Sequence, residues 1–232
     1  MSRSAFPGPG RRLSFPLDLH TPAYGGAQGL EVEHLTSIQA GDTANTVRVR
    51  FPNHLGTHVD APAHFFDEGA TLSDYAPEDW VFTRPVLADA AVESGELVSQ
   101  RHVESQVPSD TDLLLIRTGH GQARGTDAYW QEGPGLSDEL GFWLRTERPS
   151  VRAVGMDLIS VTTRLARPEG KAAHRAFLDP AGSGSPIRLI EDMDLATCPK
   201  TLGWIVVSPL DLRNGDGGPV TVWAFDQQRE ET

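Results

Sequence analysis

The chain has little cysteine and no long apolar run, and each lack excludes a class of protein. Cys198 is its only cysteine, so no disulfide can form within the chain, and neighbouring Thr197 and Pro199 give no sign of an activated thiol. No segment approaches the ~18 apolar residues that a membrane span needs. The first residues lack the apolar core of a secretory signal, which predicts an unexported, cytoplasmic protein without a membrane partner.

Positive charge is also scarce. The 232 residues include 32 Asp and Glu against 20 Lys and Arg, which gives a formal net charge of −12. The basic residues are scattered and form no stripe along which a phosphate backbone would bind. The sequence therefore predicts no nucleic-acid partner.

Strand signals outnumber helix signals along the chain, and the two are interleaved. A single domain over residues 13–226 is predicted, with a flexible N-terminal segment at 1–12 and a C-terminal tail at 227–232. The predicted strands are alternating Thr46–Phe51, apolar Leu113–Ile116, Ile205–Val207 and Val220–Phe225. One predicted helix starts at Ser137 as its N-cap and stops before Pro149, and a second surrounds Lys171–Leu178. This pattern favours an α/β or α+β domain with a mixed sheet.

The stretch "HLGTHVDAPAHFF", His54 to Phe66, carries the strongest chemical signal. Gly56 and two β-branched residues argue against a helix here, and the preceding "TVRVRF" favours extended chain. On a strand, alternate side chains share a face, so His54, His58 and Asp60 would point in one direction.

Imidazole nitrogen with carboxylate oxygen suits zinc or manganese, and three protein ligands leave positions open for water or substrate. Pro62 should end the strand, which places His64 on the turn beyond, where a general acid or base would sit. Spacing alone leaves open the alternative of a histidine-rich turn without metal. The remaining histidines are expected at the surface or in ordinary hydrogen bonds: His20, His34, His102 and His120.

The stretch closely resembles the signature His-x-Gly-Thr-His-x-Asp-x-Pro-x-His of the metal-dependent cyclase-like hydrolase family, which includes bacterial kynurenine formamidases and isatin hydrolases. Later blocks are similar to that family too: "LLLIRTG", "VGMDLISV", "AHRAFL", "IRLIEDMDL" and "VVSPLDLRNGDGGPVTVWA". The resemblance implies that His54, His58 and Asp60 bind a first divalent ion, Zn²⁺ or Mn²⁺, with Asp60 able to bridge to a second. It makes His64 the proton donor and acceptor.

In two-metal members of the family a distant histidine and glutamate hold the second ion, and these fall on His174 and Glu191. The resemblance thus implies one or two ions per subunit. The gap between the two residues is longer here and contains Asp179–Pro186, a turn-rich segment that is either a lid or a surface loop. The block "MDLISV" replaces a Thr-Pro-Ser stretch of the formamidases, and its Asp157 and Ser160 either support the site or cap a strand end.

The resemblance also implies the fold and the reaction. The expected fold is a single α/β domain with a mixed, β-rich, barrel-like core and flanking helices, the swivelling β/β/α-like fold of the cyclase family, assembled as a homodimer or homotetramer. The expected activity is hydrolysis of a non-peptide C–N bond in a small amide, N-formyl amide or cyclic amide by a metal-activated water. Aromatic side chains would bind a flat substrate, and Phe65, next to the motif's last histidine, is the one expected against it. The alternatives are a metal-dependent cyclase or dehydratase of secondary metabolism and a non-catalytic metal- or ligand-binding protein.

Overall fold

The main sheet contains both parallel and antiparallel strands. The computed structural model describes residues 10–27 and 29–226. Within these ranges the strands are β1 Gly10–Arg12, β2 Glu31–Thr36, β3 Thr46–Arg50, β4 His58–Asp60, β5 Val81–Phe82, β6 Pro85–Asp89, β7 Leu97–Val98, β8 Leu113–Arg117, β9 Gly135–Leu136, β10 Ala153–Met156, β11 Arg188–Glu191, β12 Trp204–Pro209 and β13 Gly217–Phe225. Nine of them form one mixed sheet in the order β5-β12-β13-β4-β11-β10-β8-β6, with β1 added beside β13.

The sheet curves into a nearly closed barrel. Strands β6, β8, β10 and β11 run parallel, whereas β4, β13, β12 and β5 pair antiparallel. The two ends of the order, β5 and β6, are consecutive in the chain with only Thr83 and Arg84 between them. The ends of the sheet must therefore lie close together, which confirms the predicted mixed, barrel-like core.

Helices cover the parallel half of the sheet. The α-helices are α1 Gln100–Val103, α2 Asp127–Gln131, α3 Asp138–Glu147 and α4 Arg167–Leu178, and short 3-10 turns lie at Tyr24–Gly26, Ile38–Ala40, Pro62–His64, Leu72–Asp74, Pro77–Trp80, Glu104–Gln106 and His120–Ala123. Helices α3 and α4 pack against each other, and α4 packs on β11. In the part of the chain that the structure describes, no helix is long and apolar enough to cross a membrane.

The central parallel strands are buried on both faces. Leu113 and Leu115 of β8 point into the barrel, whereas Leu114 and Ile116 lie under the helices with Phe177 of α4. A strand with two buried faces is apolar at every position rather than at alternate ones. This explains the continuous run from which the strand was predicted.

Both predicted helices are present. Ser137 caps α3, with its hydroxyl accepting a hydrogen bond from the Leu140 amide at 3.2 Å, and the helix ends at Glu147, before Pro149. Helix α4 contains the predicted segment Lys171–Leu178 and starts at Arg167, where Pro168 occupies one of the first positions and its missing amide hydrogen costs nothing.

Two sequence expectations differ from the structure. Residues 10–12, expected in a flexible segment, form β1 beside β13, and Arg11 pairs with Asp226 at 3.1 Å. The extended chain predicted to run through His54 is broken: β3 ends at Arg50, and Gly56 takes a positive φ of 66° before β4 begins at His58. Residues 1–9 and the predicted tail at 227–232 lie outside the described residues.

Candidate metal and catalytic site

Strand β4 places two potential metal ligands on one face. His58 and Asp60 flank Val59, which points the other way into the barrel interior. The Nδ1 of His58 lies 2.8 Å from the carbonyl oxygen of Gly56. A carbonyl only accepts, so Nδ1 carries the hydrogen and the Nε2 of the neutral ring keeps its lone pair for a ligand.

Helix α4 supplies a second histidine in the same state. The Nδ1 of His174 lies 2.9 Å from the carbonyl oxygen of Gly170, one helical turn earlier. Its Nε2 therefore faces inward, 3.6 Å from Glu191 Oε1 and 3.8 Å from Asp60 Oδ2. Two histidines from distant parts of the chain thus present the same ring atom to the same pair of carboxylates.

Glu191 ends strand β11 beside β4 and is buried. Its Oε1 accepts a hydrogen bond from the Val161 amide at 2.7 Å, and its Oε2 lies 3.3 Å from the Nε2 of His58. Asp60 lies between the histidines, with Oδ1 3.4 Å from His58 and Oδ2 facing His174. We call these four buried residues, His58, Asp60, His174 and Glu191, the floor of the site.

The separations in the floor fit a bound cation better than direct hydrogen bonds. Distances of 3.3–3.8 Å exceed the usual ~3.2 Å limit for N–H···O bonds. Two ligands of a tetrahedral zinc ion, each bonded at about 2.0–2.1 Å, stand about 3.3–3.4 Å apart. Imidazole nitrogens and carboxylate oxygens are also the donor set that zinc and manganese accept. The residues present therefore fit a divalent ion.

A half-exposed group of three residues adjoins the floor. His54 contacts Asp60 Oδ1 through Nδ1 at 2.8 Å and Asp216 Oδ2 through Nε2 at 3.0 Å. His64 donates from Nδ1 to Asp216 Oδ2 at 2.9 Å, and its ring lies 4.0 Å from that of His54. We call these three residues, His54, His64 and Asp216, the rim of the site. Among described residues, two compact groups of three could each hold a metal ion, and both include Asp60. The first is His54, Asp60 and His64; the second is His58, Asp60 and Glu191.

Charges in the site shift its pKa values in a consistent direction. Burial is the largest influence on His58 and favours its neutral form, but the carboxylates of Asp60 and Glu191 outweigh it and raise the pKa of the imidazole well above its usual value. Burial likewise disfavours charge on Asp60, yet His54 and His58 hold the pKa of that carboxyl well below its usual range. The buried carboxylates and the imidazoles beside them therefore favour opposite charges on each other.

Burial and nearby carboxylates also act in opposite directions on the pKa values of the other two histidines next to Asp60, His54 and His174. Burial again favours the neutral rings, but the pKa of His54 is raised by Asp60 and Asp216, and the pKa of His174 is raised by Glu191 and Asp60. The carboxylates thus favour positive charge at these rings. A divalent ion would supply that charge.

A cavity of about 570 Å³ opens above these residues. Phe65 lines it and stacks on the His174 ring, with centroids 4.5 Å apart and planes 9° from parallel. Its other walls include Pro22, Tyr24, Ile159, Ser160, Thr162, Arg167 and Lys171. The volume and the apolar walls suit a small, flat molecule.

A family model described as "Putative cyclase" matches residues 11–163, about two-thirds of the chain. The chain belongs to this cyclase family. A kynurenine formamidase from Bacillus cereus is 25% identical over 209 residues, which cover 90% of this chain and 93% of the relative. The Labrenzia aggregata isatin hydrolase A bound to benzyl benzoate superposes with a TM-score of 0.77 at 21% identity, covering 95% of this chain and 94% of the other.

A further solved structure, a predicted metal-dependent hydrolase from Bacillus stearothermophilus, superposes with a TM-score of 0.72 at 21% identity and covers 94% of this chain and 98% of the other. These solved structures confirm the cyclase-family fold that the motif implied.

The structure brings together every site residue proposed from the sequence. His54, His58, Asp60, His64, His174, Glu191 and Phe65 all line the one cavity. One expectation is wrong: His54 lies on the turn before Gly56 and not on the strand with His58 and Asp60. The insertion between His174 and Glu191 does not part them, since β11 pairs with β4 and places Glu191 beside His58. Arg145 anchors the insertion through hydrogen bonds to the carbonyls of Asp179 and Gly184, at 2.7 and 2.8 Å.

That segment, Asp179–Pro186, is mostly exposed and does not line the cavity, which favours a surface loop over a lid. Asp157 caps the loop after β8, where its carboxylate accepts from the amides of Thr118 and Gly119 at 2.8 and 2.9 Å. Ser160 does line the cavity. In this block Asp157 therefore caps a strand end, whereas Ser160 lies beside the site.

Sequence reasoning missed Asp216. It precedes β13, next to Gly217, and the signal for it was its position in "NGDGGP". A Cβ atom at Gly217 would collide with the His54 ring. Glycine at position 217 therefore allows the His54 ring and the Val59 carbonyl oxygen to approach the backbone closely.

Proposed function

We propose that this chain is a metal-dependent hydrolase that cleaves a carbon–nitrogen bond in a small amide, N-formyl amide or cyclic amide. One observation carries the proposal: a buried floor of paired carboxylates and histidine Nε2 atoms lies beneath a cavity of about 570 Å³, with a hydrogen-bonded His64–Asp216 pair beside it. The names of the relatives, a kynurenine formamidase and an isatin hydrolase, support this class of reaction.

The floor residues, together with His54, would hold Zn²⁺ or Mn²⁺, as one or two ions per subunit. The two oxygens of Asp60 face different histidines, His58 and His174, and this supports a bridging role for Asp60 if two ions bind. A divalent ion held there supplies a Lewis acid that polarises a carbonyl group and activates water for attack.

His64 moves the proton in this proposal. Its Nδ1 donates to Asp216, which leaves Nε2 of the neutral ring free to take a proton from the attacking water and to return it to the leaving nitrogen. Asp216 fixes the ring orientation and stabilises the imidazolium that forms. His64 is half-buried beside the cavity, so its free nitrogen is within reach of a bound substrate.

Apolar walls orient the substrate. Phe65, Tyr24 and Ile159 line the cavity above the floor. Because Phe65 is stacked on His174, its ring is held in one plane and offers a flat face to an aromatic or cyclic amide.

The two alternative functions are less well supported. A protein that only binds an ion has no use for the His64–Asp216 pair beside the donors, and this favours catalysis over binding. A cyclase or dehydratase would need the same Lewis acid, but the named relatives are hydrolases.

Assembly as a homodimer or homotetramer and a cytoplasmic location are part of the same proposal. The hairpin β2–β3 supports assembly, because Val32, Val47 and Val49 are 38%, 47% and 50% exposed on one of its faces. Light scattering of the purified protein tests it: a mass of one subunit would contradict it.

The test of function joins metal analysis to a hydrolysis screen. Purified protein is expected to contain zinc or manganese and to release protons from at least one of three substrate types: N-formyl anilines, isatin-like lactams or cyclic imides. Lactones complete the screen, and hydrolysis of lactones alone would contradict cleavage of a C–N bond. An exposed histidine outside the site, His20, provides the matched control, since His20→Ala should keep both metal and turnover. Bound metal without hydrolysis of any substrate would favour the binding or cyclase alternatives.

A further inference from the structure

Two positively charged side chains line the cavity and take no part in the proposed chemistry. Arg167 and Lys171 are exposed residues of α4 and both border the cavity above His174 and Glu191. Across residues 10–27 and 29–226, neither forms an ion pair. By contrast, Arg124 is held at 2.8 Å by the buried carboxylate of Asp192.

The start of α4 is a favourable place for a bound anion. Arg167 occupies the first position of α4, where the helix dipole favours negative charge. An anion bound between Arg167 and Lys171 would be stabilised by both side chains and by the helix terminus.

The helix aligns these cations with the floor. Arg167, Lys171 and His174 are spaced as i, i+4 and i+7, which places them along one face of α4. With a rise of about 1.5 Å per residue, Lys171 stands about 4–5 Å and Arg167 about 10 Å along the axis from His174. Long side chains in a helix lean towards its N-terminus, which carries both charges further from the floor.

We propose that Arg167 and Lys171 bind a carboxylate of the substrate. The inference rests on the proposed function and narrows it: the substrate is a small amide with a flat apolar body, whose carboxylate lies several bonds from the carbonyl that is attacked. The apolar body would lie against Phe65 and Ile159. The two cations also offset the repulsion that a protein of net charge −12 exerts on an anionic substrate.

The test compares two substrates of equal size. 4-Formamidobenzoate carries a carboxylate across the ring from the formamide, and N-formyl-4-toluidine has a methyl group in its place. The native protein is expected to hydrolyse the carboxylate substrate with the higher kcat/KM. Each of Arg167→Gln and Lys171→Gln should lower that value roughly tenfold, and the double variant up to about a hundredfold, mainly through KM. The neutral substrate should change by less than about twofold, since it makes no ionic contact.

Arg175→Gln is the matched control. Arg175 is an exposed cation on the same helix that lies over the Phe66 ring and does not line the cavity. Its loss removes the same charge and should leave the preference for the carboxylate substrate intact. Equal losses for both substrates in the double variant would indicate a structural role for the two residues and overturn the proposal.

A binding measurement separates failure of this inference from failure of the proposed function. If neither compound is hydrolysed, calorimetry with 4-formamidobenzoate still decides: tighter binding to native protein than to the double variant supports the carboxylate site. Equal affinity for the two proteins, or no binding to native protein, would overturn it whatever the catalytic activity.

Discussion

The floor and the rim of the site use the same residue type in different surroundings. In the floor, His58 and His174 each donate Nδ1 to a backbone carbonyl, are almost fully buried and turn Nε2 towards carboxylates. In the rim, His64 donates Nδ1 to the carboxylate of Asp216 and stays partly exposed. In the floor the carbonyl accepts from Nδ1 and leaves Nε2 directed at the carboxylates, where an ion would bind. In the rim the carboxylate is itself the partner of Nδ1 and leaves Nε2 of the neutral ring free for proton transfer. The first arrangement suits a ligand and the second suits a proton carrier.

The largest expected effect comes from removing charge in the floor. Asp60→Asn keeps the shape of the side chain but removes the carboxylate that His54, His58 and His174 all face. We expect the variant to lose bound metal, and its hydrolysis to fall by roughly a thousandfold or more, since several kcal/mol of transition-state stabilisation is lost. Elemental analysis and turnover measure both. Full metal content in this variant would show that Asp60 is not a ligand.

A change in the rim should separate metal binding from turnover. His64→Ala removes the proposed proton carrier and leaves the floor intact, so we expect normal metal content with turnover reduced by about 10²–10⁴-fold. The result also distinguishes two assignments, because His64 belongs to one of the two compact groups of three. If His64→Ala loses metal as His58→Ala does, His64 is a ligand instead.

Asp216→Asn should have a smaller effect of the same kind. The amide can still contact His64 and His54 but cannot stabilise a protonated ring. Turnover is expected to fall by about 10–100-fold with metal retained. Asn53 also contacts Asp216, at 2.7 Å, so Asn53→Ala provides a control that disturbs the same carboxylate and leaves its charge in place. Unchanged turnover in Asp216→Asn would remove Asp216 from the mechanism.

The smallest expected effect is that of pH on the floor. Stability of the metal-free fold and affinity for metal should change in opposite directions as pH rises. In the metal-free protein the raised pKa values of His58 and His174 stabilise the fold below the unfolded histidine pKa of about 6.5, and this contribution is lost as pH rises through the folded pKa values. Metal must displace these protons, so its affinity should instead rise with pH over the same range. Denaturation and metal titration across that range test the opposite trends. Parallel trends would contradict them.

The local part of the site could be predicted from the sequence because it lies in one motif. His58, Asp60 and His64 depend on β4 and on the turn at Pro62, both of which alternation and proline chemistry indicate. The pairing of His174 with Glu191 and the barrel-like fold came from the family resemblance, since no spacing rule links a helix to a strand end across that distance. The comparisons confirm the family and the fold.

Two features could not be predicted in this way. Asp216 enters the site only because the start of β13 pairs with β4, which places the "NGDGGP" turn beside His54. The course of the chain at His54 depends on the positive φ of Gly56, and alternation alone had suggested a continuous strand. Both are long-range or single-residue effects that local patterns do not encode.

Removal and return of metal in the native protein tests the central claim most directly. Protein treated with a chelator should lose hydrolysis of its best substrate and recover it in proportion to the Zn²⁺ or Mn²⁺ added, reaching a plateau at one or two ions per subunit. Hydrolysis that survives complete removal of metal would contradict the account.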